Sequence, residues 1–116
     1  LLKLKTLKKE RNIMKIIAVT ACPTGVAHTY LAAESLEKSA KKRGVEIKVE
    51  TQGSIGIENE LTEKDIESAV AVIIAADVNI SKADRFKGIP KLKLDVQKAI
   101  KHSDQIIDKI IDKFKE

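Results

Sequence analysis

Ala69-Val70-Ala71-Val72-Ile73-Ile74-Ala75-Ala76 is an apolar run with no polar face. It is far too short to cross a membrane as a helix, and its β-branched centre suits an extended strand. A strand with no side for water has to be central in its sheet and covered above and below. That requirement points to a layered α/β arrangement, and the remainder of the chain supplies the layers.

Lys15-Ile16-Ile17-Ala18-Val19 reads as another buried strand. Residues 29–43 place Leu31, Ala32, Leu36 and Ala40 at helical spacing. Glu34 and Glu37 lie toward the start of that helix, Lys38, Lys41, Lys42 and Arg43 crowd its end, and Gly44 follows as a stop. Residues 45–51 alternate Val45, Ile47 and Val49 with Glu46, Lys48 and Glu50, the pattern of a half-buried, edge-type strand. Residues 52–56, with Gly53 and Gly56, read as a loop, and Thr62 is a candidate N-cap for a short helix with Asp65 three residues on. The run 69–76 ends at Asp77; a loop through Asn79, Arg85 and Phe86 leads to a short last strand over 88–92, with Pro90 at its edge. Residues 95–114 predict one long amphipathic helix, with Val96, Ala99, Ile100, Ile106, Ile107, Ile110, Ile111 and Phe114 inward.

The order β-α-β-α-β-loop-β-α predicts a small doubly wound, mostly parallel four-stranded sheet with helices on both faces. Ligands of such sheets sit outside the carboxyl ends of the strands. The loop after the first strand and Asp77 after the third should therefore open onto one edge. There is no internal repeat and no low-complexity stretch.

At 116 residues the chain is one domain. Residues 14–116 are read as its compact part and residues 1–13 as a basic N-terminal extension or linker remnant. The net charge of +5 suggests a polyanion partner until its placement is considered. Residues 1–13 hold Lys3, Lys5, Lys8, Lys9 and Arg11 against Glu10, which leaves mixed signs elsewhere. Three aromatics (Tyr30, Phe86, Phe114) cannot build a stacking platform, so nucleic acid is not expected as a partner. No secretory signal is evident, and one cysteine with two distant histidines builds neither a disulfide nor a metal site. A cytoplasmic protein without metal or cofactor is the expectation.

The single cysteine is where chemistry concentrates. Cys22 heads a short loop, Pro23-Thr24-Gly25, between the first strand and the first helix. A strand end, a tight loop and a helix N-terminus aim backbone N–H groups at one point, an anion-sized hole. The same setting favours the thiolate, the form that attacks phosphorus. Pro23 fixes the turn direction, Gly25 lets the backbone bend, and Thr24, His28 and Thr29 add side chains able to bond a phosphoryl group. A buried inert thiol, a solvated His28, Thr29 as a mere N-cap, Asp77 as a strand end and Arg85 as a surface charge or carboxylate partner are the plainer readings.

A tyrosine-phosphatase loop places arginine six residues after its cysteine, where its fork clamps phosphate through hydrolysis. Here His28 stands at that position. A site that forms a thiophosphate but lacks the fork suits relay to another acceptor. Three readings follow: a phosphocarrier transferase, a small cysteine-dependent phosphatase, and a binding or redox-sensing module.

Thr20-Ala21-Cys22-Pro23-Thr24-Gly25-Val26-Ala27-His28-Thr29, followed by Leu31-Ala32-Ala33-Glu34, resembles the phosphocysteine loop of fructose-type enzyme IIB components of the bacterial sugar phosphotransferase system. Ala75-Ala76-Asp77 and Arg85-Phe86 match that pattern too, and the resemblance runs from about Met14 onward. It implies that Cys22 takes a phosphoryl group from a phosphohistidine of a IIA component. The group would then pass to fructose or a related hexose held by a membrane IIC component. The chain would be peripheral to the membrane through that partner. Thr24, Gly25, Val26, Ala27, His28 and Thr29 would cradle the phosphoryl group.

Overall fold

The computed structural model describes residues 14–23 and 26–115, apart from the side chain of Val26. The proposed extension, residues 1–13, lies outside them, as do Thr24 and Gly25. The elements are β1 (Lys15–Ala21), α1 (Val26–Lys42), β2 (Glu46–Gly53), β3 (Gly56–Glu58), α2 (Glu63–Ser68) and β4 (Ala71–Ala76). A 3-10 turn (Ala83–Phe86), β5 (Lys91–Leu94), α3 (Val96–Lys101) and α4 (Ser103–Phe114) complete the order. The sheet runs β3-β2-β1-β4-β5, with β2, β1, β4 and β5 parallel and β3 antiparallel to β2.

The α/β class and the parallel core agree with expectation. The strand count does not: the sheet has five strands, not four. Gly53 and Gly56 pair across a two-residue turn, and Gly56 adopts φ +110°, a conformation that side chains resist. What reads as a loop is therefore a hairpin, and its three-residue return strand takes the edge from β2. The last strand also begins later than expected, at Lys91, because Pro90 serves as the acceptor leading into it (Val72 N to Pro90 O, 2.9 Å).

Strand β4 shows why its sequence has no polar face. Ala71, Ile73 and Ala75 join a core beneath α1, α3 and α4, while Val72 and Ile74 join a second core with Leu61 and Phe86. The two faces are unequal. Three helices cover the first; only α2 and the 3-10 turn cover the second.

Helix α1 ends as its charges suggest, with Gly44 at φ +70° and the Val45 amide reaching back to the Ala40 carbonyl at 3.1 Å. The expected single helix over 95–114 is instead two, α3 and α4, meeting at His102, whose φ of −126° is not helical. The apolar stripe lapses at Ser103 and Asp104, and both face polar partners. Ser39 Oγ of α1 donates to Asp104 Oδ1 at 2.5 Å and shares a hydroxyl–hydroxyl contact with Ser103 Oγ at 2.7 Å, while Arg43 bridges Asp104 and Asp108.

Two carboxylates hold β2 to its surroundings. Asp65 closes a capping box with Thr62, the expected N-cap, and accepts from Lys15 Nζ (2.9 Å) and Lys48 Nζ (2.7 Å). Glu50, expected on the polar side of an edge strand, is fully buried. Burial alone would push its carboxyl up. The Arg85 fork, the Gln52 amide and the Leu61 N–H outweigh that and hold it below the usual range. Lys48, the Thr62 amide and Lys15 hold Asp65 further down.

Since both groups are depressed in the folded chain, their stabilisation is complete above the unfolded carboxylate range, about 4. It is lost as pH falls through their lower folded values. The melting temperature should therefore stay level from pH 7 to about 5 and drop steeply below about 4. Asp65→Asn should flatten that acid limb; a limb of unchanged steepness in the variant would show that Asp65 does not shape it.

Candidate active site

The carboxyl ends of β1, β2 and β4 converge on Cys22, which directly follows β1 and is partly buried. Pro23 is exposed at the turn, and α1 starts at Val26. The first amides of a helix have no intrahelical carbonyl to bond, so those of Val26, Ala27 and His28 are donors next along the chain from the thiol. A cleft of about 350 Å³ opens beside the sulfur, lined by Cys22 and Pro23 from the β1 loop, Gln52, Gly53 and Ser54 from the β2 end, and Val78 and Asn79 after β4.

The expected cradle divides. Ala27 and His28 are exposed in the first turn of α1. Thr29 is not an N-cap; it lies inside the helix, 1 % exposed, and its hydroxyl has no hydrogen-bond partner among the described residues. Its carbonyl accepts from Thr20 Oγ1 at 3.1 Å, which ties the start of α1 to the end of β1. Neither His28 nor Thr29 is among the described residues lining the cleft. Thr24 and Gly25 lie outside the described residues, and of Val26 only the backbone is placed.

Residues not singled out from sequence complete the site. Gln52 accepts from the Ser81 amide (2.8 Å), and its own amide donates to the Ser81 carbonyl (3.1 Å) and to Glu50 (2.8 Å). That pair of bonds pins the loop after β4 against β2, which carries Val78 and Asn79 to the cleft wall. Beneath it, Arg85 grips Glu50 with both arms (2.8 and 2.5 Å), leans on the Phe86 ring and donates to the Leu61 carbonyl. Arg85 is thus a carboxylate partner and not a surface charge. The position of Gln52, at the carboxyl end of a parallel strand, was the available signal. Tyr30 adds a further tie, its hydroxyl bonding the Glu58 carboxylate of β3.

Asp77 does more than end its strand. Its amide donates to the Ala21 carbonyl (3.2 Å), its Oδ1 accepts from the Val96 amide at the start of α3 (3.2 Å), and its Oδ2 stands 3.8 Å from Cys22 Sγ. A thiol with a carboxylate on one side and helix amides on the other can take up a phosphoryl group and give it away again.

Residues 17–109 match the family described as the lactose/cellobiose-specific IIB subunit of the phosphotransferase system. The chain belongs to the IIB family of that system. A fructose-like EIIB component 2 from Escherichia coli K12 is 56 % identical over 96 residues, 83 % of this chain and 91 % of that one. A fructose-specific EIIABC component from Bacillus subtilis is 52 % identical over 95 residues, 82 % of this chain but 15 % of the larger protein. A crystal structure of a domain from a fructose-specific IIABC component of Borrelia burgdorferi superposes with a TM-score of 0.81 at 52 % identity. That likeness covers 86 % of this chain and 95 % of the domain.

This IIB chain is accordingly a phosphotransferase component of sugar uptake, and none of these relatives is named as a phosphatase. Relatives named EIIABC components carry A, B and C components in one polypeptide. Among the described residues, no helix is long and apolar enough to cross a membrane.

Proposed function

We propose that Cys22 is the phosphoryl carrier. The sulfur attacks the phosphorus of a IIA phosphohistidine, the S–P bond forms as the P–N bond breaks, and the group is later transferred to a hexose hydroxyl at the IIC component. Fructose is the favoured sugar, since the relatives above carry fructose in their names. The backbone amides from Thr24 to Thr29 hold the phosphoryl oxygens, aided by the Thr24 and Thr29 hydroxyls and by His28. The chain works on the cytoplasmic side, brought to the membrane by its IIC partner, with residues 14–116 as the working domain.

The observation that carries this reading is a thiol at the carboxyl edge of β1, beside an open cleft and next to the N-terminus of a long helix. Phosphoryl transfer asks chiefly for in-line positioning and for charge held in place, and that arrangement offers both.

The test is phosphorylation from phosphoenolpyruvate through the upstream carriers and a IIA component. The chain should gain one phosphoryl group, mapped to Cys22 by mass spectrometry, and a Cys22→Ser variant should transfer none to sugar. Transfer that persists in the serine variant would overturn the reading.

A further inference from the structure

We propose that Asp77 is a catalytic residue, the acceptor of the Cys22 proton when the sulfur takes its phosphoryl group and the donor of that proton when the group departs. The inference rests on Cys22 being the carrier. It starts from three contacts that leave Asp77 little choice of position. The amide is tied to the last carbonyl of β1, Oδ1 is tied to the first amide of α3, and Oδ2 is thereby directed at Sγ, 3.8 Å away. One oxygen is held by the fold and the other faces the reacting atom.

The chemistry then balances. In the first step the S–H bond breaks and its proton moves to Asp77 Oδ2. The S–P bond forms, the P–N bond of the donor breaks, and its electron pair returns to a donor ring already protonated on its other nitrogen, which leaves as neutral imidazole. Asp77 is now neutral beside a doubly charged phosphoryl group, which removes the repulsion that a carboxylate would exert there. In the second step the acceptor hydroxyl attacks phosphorus and the S–P electron pair returns to sulfur. The Asp77 proton then follows it, regenerating thiol and carboxylate; the hydroxyl proton is left to the partner that holds the sugar. At the sulfur, proton and phosphoryl group exchange places.

The charged neighbours permit this. On the thiol side the described cleft residues are neutral. Lys93 of β5 lines the groove on the far side of Asp77, and Asp95 is engaged in capping α3 through the Lys98 amide. His28 is exposed in the first turn of α1. None of these bonds is made to Oδ2.

Asp77→Asn separates the catalytic role from a structural one, because its side-chain oxygen can still accept from Val96 while the amide cannot take a proton. Phosphoryl transfer should fall by about 100-fold. At the same time, alkylation of Cys22 by iodoacetamide at neutral pH should quicken by about 10-fold, because a negative charge 3.8 Å from the attacking sulfur is gone. Slower transfer with unchanged alkylation would mean a structural role and would overturn the proposal; so would transfer equal to wild type.

Should the variant fail to fold, carbon NMR of the Asp77 carboxyl in the wild-type chain decides. An inflection at the pH where Cys22 ionises, absent in Cys22→Ala, supports the coupling, and no inflection overturns it. Alkylation and NMR need no phosphoryl donor, so a failure of the carrier reading itself would appear separately, as absence of a Cys22 adduct in the wild-type chain.

Discussion

Replacing Arg85 with methionine is expected to destabilise the chain by about 3 kcal/mol, the lower end for breaking a buried ion pair, because the Arg85 side chain keeps 17 % exposure. Glu50 is fully buried, and Arg85 supplies two of its charge-assisted bonds, at 2.8 and 2.5 Å. Without the guanidinium, the Gln52 amide and the Leu61 N–H remain, too little to solvate a carboxylate in that position. The melting temperature should fall by roughly 10–20 °C, taking the usual conversion for a domain near 100 residues. A Glu50→Gln, Arg85→Met double variant should recover much of the loss, since no uncompensated charge stays inside. Urea unfolding of the two variants measures both terms; a double variant no more stable than Arg85→Met would show that the ion pair is not the source. The site should feel the single change as well, since Gln52 bonds Glu50 with the same amide that holds Ser81.

The second large effect concerns the fate of the phosphoryl group. His28→Arg is expected to shorten the lifetime of the Cys22 adduct by at least about 10-fold, as hydrolysis gains the donors that a relay site does without. His28 is exposed in the first turn of α1, so the longer side chain can be built without displacing core. Asp77 already stands 3.8 Å from the sulfur and can protonate it as it leaves. Arginine is then the part that is missing. Loading from the IIA donor should remain, because the thiol and the backbone amides are untouched. Following the phosphorylated chain by mass spectrometry after removing the donor gives the lifetime directly; an adduct as long-lived as in wild type would refute the expectation.

Sequence patterning located what depends on local periodicity. The apolar runs in β1 and β4 are central and covered on both faces, and Gly44 and Thr62 do their expected work at helix ends. Cys22 and Asp77 meet at one edge, as the order of strands requires. Features set by long-range pairing were harder to see. Glu50 alternates with apolar residues as a solvated glutamate would, and nothing near it in sequence announces Arg85, 35 residues away. The β2–β3 hairpin was marked by two glycines flanking a two-residue turn, a signal that outranks the loop reading. The break at His102 was marked too, by the lapse in the apolar stripe at Ser103 and Asp104. Gln52, Val78 and Asn79 enter the site only through the topology that brings strand ends together.

The edges of the sheet carry a consequence for traffic. On one side β3 is three residues long and reverses direction; on the other, β5 presents Lys91 and Lys93 to solvent. Short or lysine-bearing borders are poor templates for another strand. Neither border invites a lasting embrace by main-chain pairing, so a partner that meets Cys22 is expected to dock without adding a strand. A courier that serves two clients in turn works only as fast as each lets go, and this chain has little along its flanks for either to hold.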